Sequence, residues 1–302
     1  MIIVNWNTRD LLARCLRSVQ EARDGLSLEA LVVDNASTDG SLEMLRESFP
    51  EVTVIANRTN VGFVRANNQA LAECRGAYVL LLNSDAALLP GALEHMLGFM
   101  QDQPSVGIVG PKIVNPDGSF QSSYMHFPSL LSELLLMTKL HRIVYTRWFP
   151  SHPPWLSEQR KAVDWMLGAC LMVRWETLQD IGGMDETFFM YSEEVDWCWR
   201  ARQAGWTIYY LPEAQVLHDG GQSSAQVPVR RRSMVYKSKY LFLRKHHSPL
   251  TARLFKGALL VTSLLKAAFW CLCCLSPRAA DRVRAVDSVR SYGMLMGEAI
   301  RF

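Results

Sequence analysis

The chain has no G-x-G-x-x-G after its first or second apolar run, and no G-x-x-x-x-G-K-[ST] anywhere in its 302 residues. Those glycine-rich loops cradle the phosphates of dinucleotides and of P-loop nucleotides. Both site types are therefore disfavoured, and a nucleotide would have to be held by other groups. Signs of secretion are also missing. Residues 1–4 carry no basic stretch and lead straight into a strand-like run, so no signal peptide is expected. The seven cysteines are scattered, mostly in apolar or helical stretches, as buried thiols are. A cytosolic, reducing setting without a disulfide framework follows as an expectation. Cys271-x-x-Cys274 has no second ligand pair, which argues against a metal or redox role. Charged residues make up 20% against 49% hydrophobic, the balance of a globular chain. There is no internal repeat and no low-complexity tract.

The charge that is present is unevenly placed. Residues 228–302 hold 15 Lys/Arg against 3 Asp/Glu, whereas residues 1–227 hold 17 against 26. An acidic body with a basic tail suggests two jobs, the tail favouring an anionic partner such as a membrane or a nucleic acid.

Periodicity divides the first hundred residues into alternating strands and helices. Strands are expected at 2–6, 30–34, 52–56 and 77–83. Helices are expected at 8–22, from an opening at Thr38-Asp39-Gly40-Ser41 to near Pro50, at 62–74 and at 90–100, with Pro90 in a first turn. This rhythm predicts an α/β fold with a mostly parallel sheet covered by helices. Right-handed crossovers bring the strand C-termini to one edge, so Asn5, Asp34 and Asp85 should converge there. Farther on, 106–109 and 208–211 read as strands and 115–118 as a turn. Residues 128–149 are apolar with interspersed charges, 149–154 form a proline loop, 163–173 are apolar, and 191–204 form a helix ending at Gly205.

Several segments carry chemistry, each beside a plainer reading. Asn83-Ser84-Asp85 ends a buried strand where open α/β sheets bind ligands, and Asp85 can hold a divalent cation. Asp34 ends the second strand and can accept from a base or ribose; Asn35, Thr38 and Asp39 also suit a turn and helix cap. Asn60, Gly62, Arg65 and Asn67 lie at a helix start whose free N–H groups can meet a diphosphate, or which is only a helix start. Glu193 and Glu194 follow an aromatic-rich approach that can desolvate a general base, although acids at a helix N-terminus are favourable anyway. Asp196 and Arg200 read as a structural i,i+4 pair. His218 follows a strand; with a metal candidate at Asp85, ligation by it becomes plausible.

Together the ordered segments resemble family 2 inverting glycosyltransferases, particularly their rhamnosyltransferase-like branch. They are 3–7, 33–41, Asn60-Val61-Gly62-Phe63, Asn83-Ser84-Asp85, Gly168-Ala169, 188–200 and His218, spread over about residues 1–225. The resemblance implies a GT-A catalytic domain at 1–225. Its nucleotide-sugar half would cover about 1–110 and its acceptor half about 111–225, followed by a basic, partly apolar helical extension at 226–302. It implies that Asp34 reads the nucleotide base, and that Asp85 and His218 bind Mn²⁺ or Mg²⁺ in a variant DxD motif whose first position is Asn83. Asp164, Trp165, Gly168 and Ala169 would lie where sugar and acceptor meet. Glu193-Glu194 aligns with the family's Glu-Asp pair, making Glu194 the base with one methylene more than usual. The Q-x-x-R-W of processive synthases is absent near Gly205-Trp206, so a single sugar addition is implied.

The implied reaction takes a nucleotide-diphosphate sugar, with rhamnose a family-level leaning, and a saccharide or lipid-linked saccharide acceptor. No nucleic-acid partner is expected, and the oligomeric state is unknown. Residues 254–275 approach spanning length but carry Lys266 at their centre, which is costly in a bilayer core. The leading reading is a helix lying on an anionic membrane surface, peripheral on the inner face of the cell membrane. A buried or oligomeric helix and a true span are the other readings. Residues 130–145 would add a second amphipathic contact. Two competing functions remain. A sugar-1-phosphate nucleotidylyltransferase should have a glycine-rich basic loop after its first strand, and Asn5-Trp6-Asn7-Thr8 is not one. An inactive GT-A scaffold for membrane or nucleic acid would not need Asp85, Glu194 and His218.

Overall fold

A computed structural model of the protein describes residues 1–23, 25–140, 157–220, 228–275 and 278–302, the side chains of 228–230 and 279–281 excepted. The expected proline loop at 149–154 lies outside the described residues, as do the flanking parts of the 128–149 and 130–145 segments beyond 140.

The alternation over the first hundred residues becomes β1 (Ile2–Asn5), α1 (Arg9–Glu21), β2 (Leu31–Asp34), α2 (Ser41–Ser48), β3 (Thr53–Ala56), α3 (Phe63–Glu73) and β4 (Tyr78–Asn83). A short strand β5 (Ala86–Leu88) and helix α4 (Ala92–Asp102) follow. Strands β1, β2 and β4 are apolar on both faces because helices cover both, as in parallel sheets generally. Helix α1 buries Leu12, Cys15, Leu16 and Val19, the stripe its 3.6-residue period dictates.

The strands and helices continue with β6 (Val106–Val114), β7 (Phe120–Gln121), β8 (Tyr124–Met125), β9 (Lys161–Ala162), β10 (Trp165–Met166), β11 (Cys170–Arg174), α6 (Trp175–Ile181), α7 (Glu193–Gln203) and β12 (Thr207–His218). Helix α5 (Leu130–Thr138) and the C-terminal α8 (Pro228–His246), α9 (Pro249–Cys273) and α10 (Ala279–Arg301) complete the chain. Ten strands form one sheet in the order β3-β2-β1-β4-β11-β6-β12-β5, with β7 on β6 and β9 on β12. Strands β3, β2, β1 and β4 are parallel, as are β6 and β12, while β11 and β5 run against their neighbours. The result is a mixed, mostly parallel sheet flanked by helices.

Several local expectations change. Pro90 precedes α4 rather than opening it, because Gly91 at φ +80° turns the chain and takes the N-cap position. Strand β12 runs past Leu211 to His218, since a register shift between Leu211 and Gln215 lets pairing with β6 resume. The apolar run at 163–173 holds two strands, β10 and β11, and Gly168-Ala169 falls between them. Ser192 makes no capping hydrogen bond to α7; its φ of +64° turns the side chain away from that role. Asp196 is fully buried and accepts from Arg200 Nε at 2.9 Å, as the i,i+4 spacing suggests.

Two compact units emerge: Met1–Phe127 with Ser151–Gln226, and Pro128–Pro150 with Val227–Phe302. In the second, α9 packs against α10, α8 and α5. Both lysines inside the apolar helix bond to carbonyls of their own unit: Lys266 Nζ donates to Met137 O at 2.6 Å, and Lys256 Nζ to Ile300 O and Phe302 O at 3.0 Å. Among the described residues α9 is the one helix long and apolar enough to cross a membrane. Its outward residues include Leu254, Val261, Leu264, Leu265, Phe269 and Leu272, all more than half exposed.

Candidate functional site

Parallel register aligns the ends of three strands. Asn5 pairs with Asp34 across β1 and β2, and Val4 pairs with Asn83 across β1 and β4. One buried polar network joins them. Asn5 Nδ2 donates to Asp34 Oδ2 at 2.8 Å, Thr8 Oγ1 donates to Asn5 Oδ1 at 2.7 Å, and the Thr8 and Ser84 hydroxyls lie 2.8 Å apart. Asp34 Oδ1 accepts the backbone N–H of Ser37 at 2.8 Å. Asn7 and Ala36 adopt positive φ values of 52° and 62°, so both loops at this edge are sharply turned. Asp34 is fully buried, and its two oxygens accept the Asn5 and Ser37 bonds one each.

Beside this network stand Asp85 and His218. Strand β12 brings His218 opposite Ala86 of β5, and Asp219 N donates to Asp85 O at 3.0 Å. His218 Nε2 then lies 3.3 Å from Asp85 Oδ1 and 3.5 Å from Asn83 Nδ2, with both Asp85 and His218 buried. The other ring nitrogen, Nδ1, is 2.6 Å from Gln121 Oε1 and donates to it. A carboxylate oxygen and an imidazole nitrogen facing one point suit Mn²⁺ or Mg²⁺, which take one or two protein ligands and complete their shell with phosphate oxygens and water. Among the described residues no cluster of three His, Cys, Asp or Glu is present.

The acidic pair sits at the first turn of α7. Tyr191 and Ser192 precede it at φ +72° and +64°, two successive left-handed non-glycine residues. Each costs about 1–2 kcal/mol, a strain concentrated where α7 begins. Glu193 and Glu194 are buried, and one oxygen of each, Oε2, has no hydrogen-bond partner among the described residues. Burial pushes the Glu194 carboxyl up to about 7; burial, then the Glu194 charge, raises Glu193 well above the ordinary value. A Cβ on Gly168 would meet the Glu194 side chain at 3.6 Å, and the neighbouring Ala169 O accepts from Asn83 N at 2.9 Å. Gly168-Ala169 thus links the acidic pair to the strand end carrying Asn83-Ser84-Asp85.

The remaining expected residues divide. Asp164 accepts from His126 Nδ1 at 3.1 Å and Phe127 N at 3.2 Å; burial opposes, but these bonds hold its carboxyl below the usual range. Trp165 is buried and donates Nε1–H to His126 O at 2.9 Å. Asn60 Oδ1 accepts from Gly62 N at 3.0 Å, and Gly62, at φ +89°, is where α3 turns under Phe189. Arg65 pairs with Glu186 at 3.0 Å, and Asn67 is buried and bonded to Phe63 O within its own helix. The Asn67 bond is local to its helix, whereas Arg65 is engaged by a carboxylate 121 residues away in sequence. The sequence reading missed Thr8, Ser37 and Gln121. Ser37 lies in a segment it had singled out and Thr8 directly follows one, but Gln121 lies in a two-residue strand with no periodicity to reveal it.

Comparison with known proteins adds the following. Residues 1–162 match the profile described as Glycosyl transferase family 2. An N-acetylglucosaminyl-diphospho-decaprenol L-rhamnosyltransferase of Mycobacterium tuberculosis is 31% identical over 267 residues, covering 82% of this chain and 84% of that relative. A low-salt glycan biosynthesis hexosyltransferase of Haloferax volcanii is 25% identical, covering 80% and 76%. Among solved structures, the mannosyltransferase PcManGT from Pyrobaculum calidifontis, in complex with GDP-Man and Mn²⁺, superposes with a TM-score of 0.57 at 16% identity, over 99% of this chain and 85% of that one. The fold is GT-A, as the resemblance implied.

The buried acids make stability depend on pH. With its carboxyl raised to about 7, folded Glu194 keeps a proton that the unfolded chain loses near 4.5. That contribution is complete at low pH and is lost as pH rises through about 7. Thermal melts between about pH 5 and about pH 8 should show Tm falling with pH, and Glu194→Gln should flatten the slope. The same slope in wild type and variant would contradict the assignment.

Proposed function

The chain belongs to glycosyl transferase family 2, and we propose that it transfers one sugar from a nucleotide-diphosphate donor to an acceptor hydroxyl with inversion. The supporting observation is the convergence at one sheet edge of Asp34, Asp85 and His218, with the desolvated Glu194 linked to that edge through Gly168-Ala169. Asp34, beside Asn5, accepts from the nucleotide. Asn60, Gly62, Arg65 and Asn67 lie on the diphosphate side, although Arg65 and Asn67 would have to exchange the partners they have. Asp85 and His218 would hold Mn²⁺ or Mg²⁺, with Asn83 and Ser84 neutral neighbours. When bound, the cation supplies Lewis-acid neutralisation of the departing diphosphate.

Glu194 is the base. Its raised proton affinity matches the task of accepting a proton near neutral pH. As the acceptor oxygen bonds to the anomeric carbon, the bond from that carbon to the diphosphate oxygen breaks. The hydroxyl proton goes to Glu194, and the nucleoside diphosphate leaves with the bonding pair. One displacement inverts the centre. Asp164 and Trp165 flank the acceptor, and burial, then the Glu194 charge, raises the proton affinity of Glu193 well above the ordinary value. The donor sugar we favour is rhamnose and the acceptor a lipid-linked saccharide, from the printed activity of the mycobacterial relative. The catalytic domain would be residues 1–225, divided near 110 into donor and acceptor halves.

The C-terminal extension at 226–302 would place the enzyme peripherally on the inner face of the membrane. Turning Lys256 and Lys266 onto carbonyls of their own unit leaves an outward stripe of leucine, valine and phenylalanine, the face of an interfacial helix. Basic residues on α8 and α10 favour anionic lipid.

Incubation with a panel of nucleotide sugars, Mn²⁺ or Mg²⁺, and a polyprenyl-diphospho-N-acetylglucosamine acceptor should yield a singly extended product. Glu194→Gln should lower turnover at least about a hundredfold, and Glu193→Gln much less. No transfer from any donor would overturn the reading, and full turnover by Glu194→Gln would remove that residue as base. In flotation with anionic vesicles the wild-type chain should rise with the lipid, and the doubly substituted Leu264→Asp, Phe269→Asp chain should stay behind. Equal flotation of both would exclude α9 as the contact.

A further inference from the structure

The ring of His218 is held from behind by a chain of hydrogen bonds whose direction is set outside the site. It begins at Asp117 in the turn between β6 and β7. Bonds from Ser119 hold that carboxyl below its ordinary range, so it is ionised and only accepts. Ser119 Oγ donates to Asp117 Oδ1 at 2.6 Å, and the Ser119 oxygen in turn accepts from Asn115 Nδ2 at 2.9 Å. Asn115 Oδ1 is thereby left to accept from Gln121 Nε2 at 2.8 Å. That fixes the Gln121 amide with its oxygen toward the histidine, where Oε1 lies 2.6 Å from Nδ1. An amide oxygen only accepts, so Nδ1 must carry the proton. In the neutral ring Nε2 is then bare, and it is Nε2 that lies 3.3 Å from Asp85 Oδ1.

We propose that Gln121 is a positioning residue that holds His218 in the Nδ1-protonated tautomer, with the Nε2 lone pair directed toward Asp85. This inference rests on reading Asp85 and His218 as the cation-binding pair. It gives the turn at Asn115-Pro116-Asp117-Gly118-Ser119 a task beyond chain reversal: the turn presents the polar groups that orient the Gln121 amide. Without Oε1 the neutral ring is free to move its proton to Nε2, which cannot then ligate. Partners behind a ligating histidine are worth about 10- to 100-fold in metal affinity in other sites.

The test uses the full chain labelled with ¹⁵N-histidine, the His218 signals being assigned with His218→Asn. In metal-free wild-type protein at mildly alkaline pH, two-bond ¹H–¹⁵N spectra should show His218 protonated at Nδ1. Gln121→Met, close in size but without the acceptor, should lose that preference; Gln121→Glu, which restores an acceptor, should keep it. Manganese EPR titration in the presence of UDP, GDP or dTDP should show about 10- to 100-fold weaker Mn²⁺ binding for Gln121→Met and near-wild-type binding for Gln121→Glu. An Nε2-protonated His218 in wild type overturns the proposal without any variant, whether or not Gln121→Met folds. Unchanged tautomer and affinity in a folded Gln121→Met also overturn it. Wild-type protein that shows the Nδ1 tautomer but binds no Mn²⁺ with any nucleotide instead removes the metal reading on which the task depends.

Discussion

Parallel pairing of β2, β1 and β4 is the constraint from which the site follows. In that register Asn5 stands opposite Asp34 and Val4 opposite Asn83. Three chain segments far apart in sequence therefore leave the sheet at the same level and in the same direction. Their polar side chains meet as one buried network, in which Asn5 bridges Asp34 and Thr8, and Thr8 reaches Ser84. A shift of one residue in β1 would turn every side chain to the opposite face and dissolve that network. The long antiparallel return of β12 against β5 adds the last group, setting His218 across from Ala86 and hence beside Asp85.

A second constraint is electrostatic. Two adjacent carboxyls are kept out of water behind two left-handed residues, with one oxygen of each unpartnered among the described residues. Keeping the charged forms out of water costs stability, and burial therefore raises both proton affinities. Groups shifted this way recur where a proton must move near neutral pH. In the proposed function the strand end and the acidic turn are complementary: one would collect acceptors for a donor's nucleotide and its cation, the other would supply the base, and Gly168-Ala169 touches both.

Much of this was legible in the sequence, for physical reasons. Apolar runs bounded by polar residues mark β1, β2 and β4, and right-handed crossover topology brings their ends together. Local patterns failed where neighbours decide. Strand β12 outran its apolar core because β6 pairs with it on both sides of a register shift. Helix α6 and the two-residue strands left no periodic trace. Ser192 is a residue type that commonly caps helices, but its backbone is turned by the strained approach to α7. Gln121 was invisible because its meaning comes from the histidine opposite it, 97 residues later. Lys266 read as a charge inside an apolar helix; its ammonium bonds to a carbonyl of α5, a contact no sequence pattern encodes.

The central claim is that the strand-end carboxylate Asp85 couples a cation to a nucleoside diphosphate. Calorimetric titration of UDP, GDP and dTDP into wild-type and Asp85→Ala protein, each with and without Mn²⁺, tests it most directly. The account predicts that at least one nucleoside diphosphate binds wild type about tenfold or more tightly with Mn²⁺, the scale of a lost metal contact, and that Asp85→Ala abolishes this gain. An undiminished Mn²⁺-dependent gain in Asp85→Ala would contradict it.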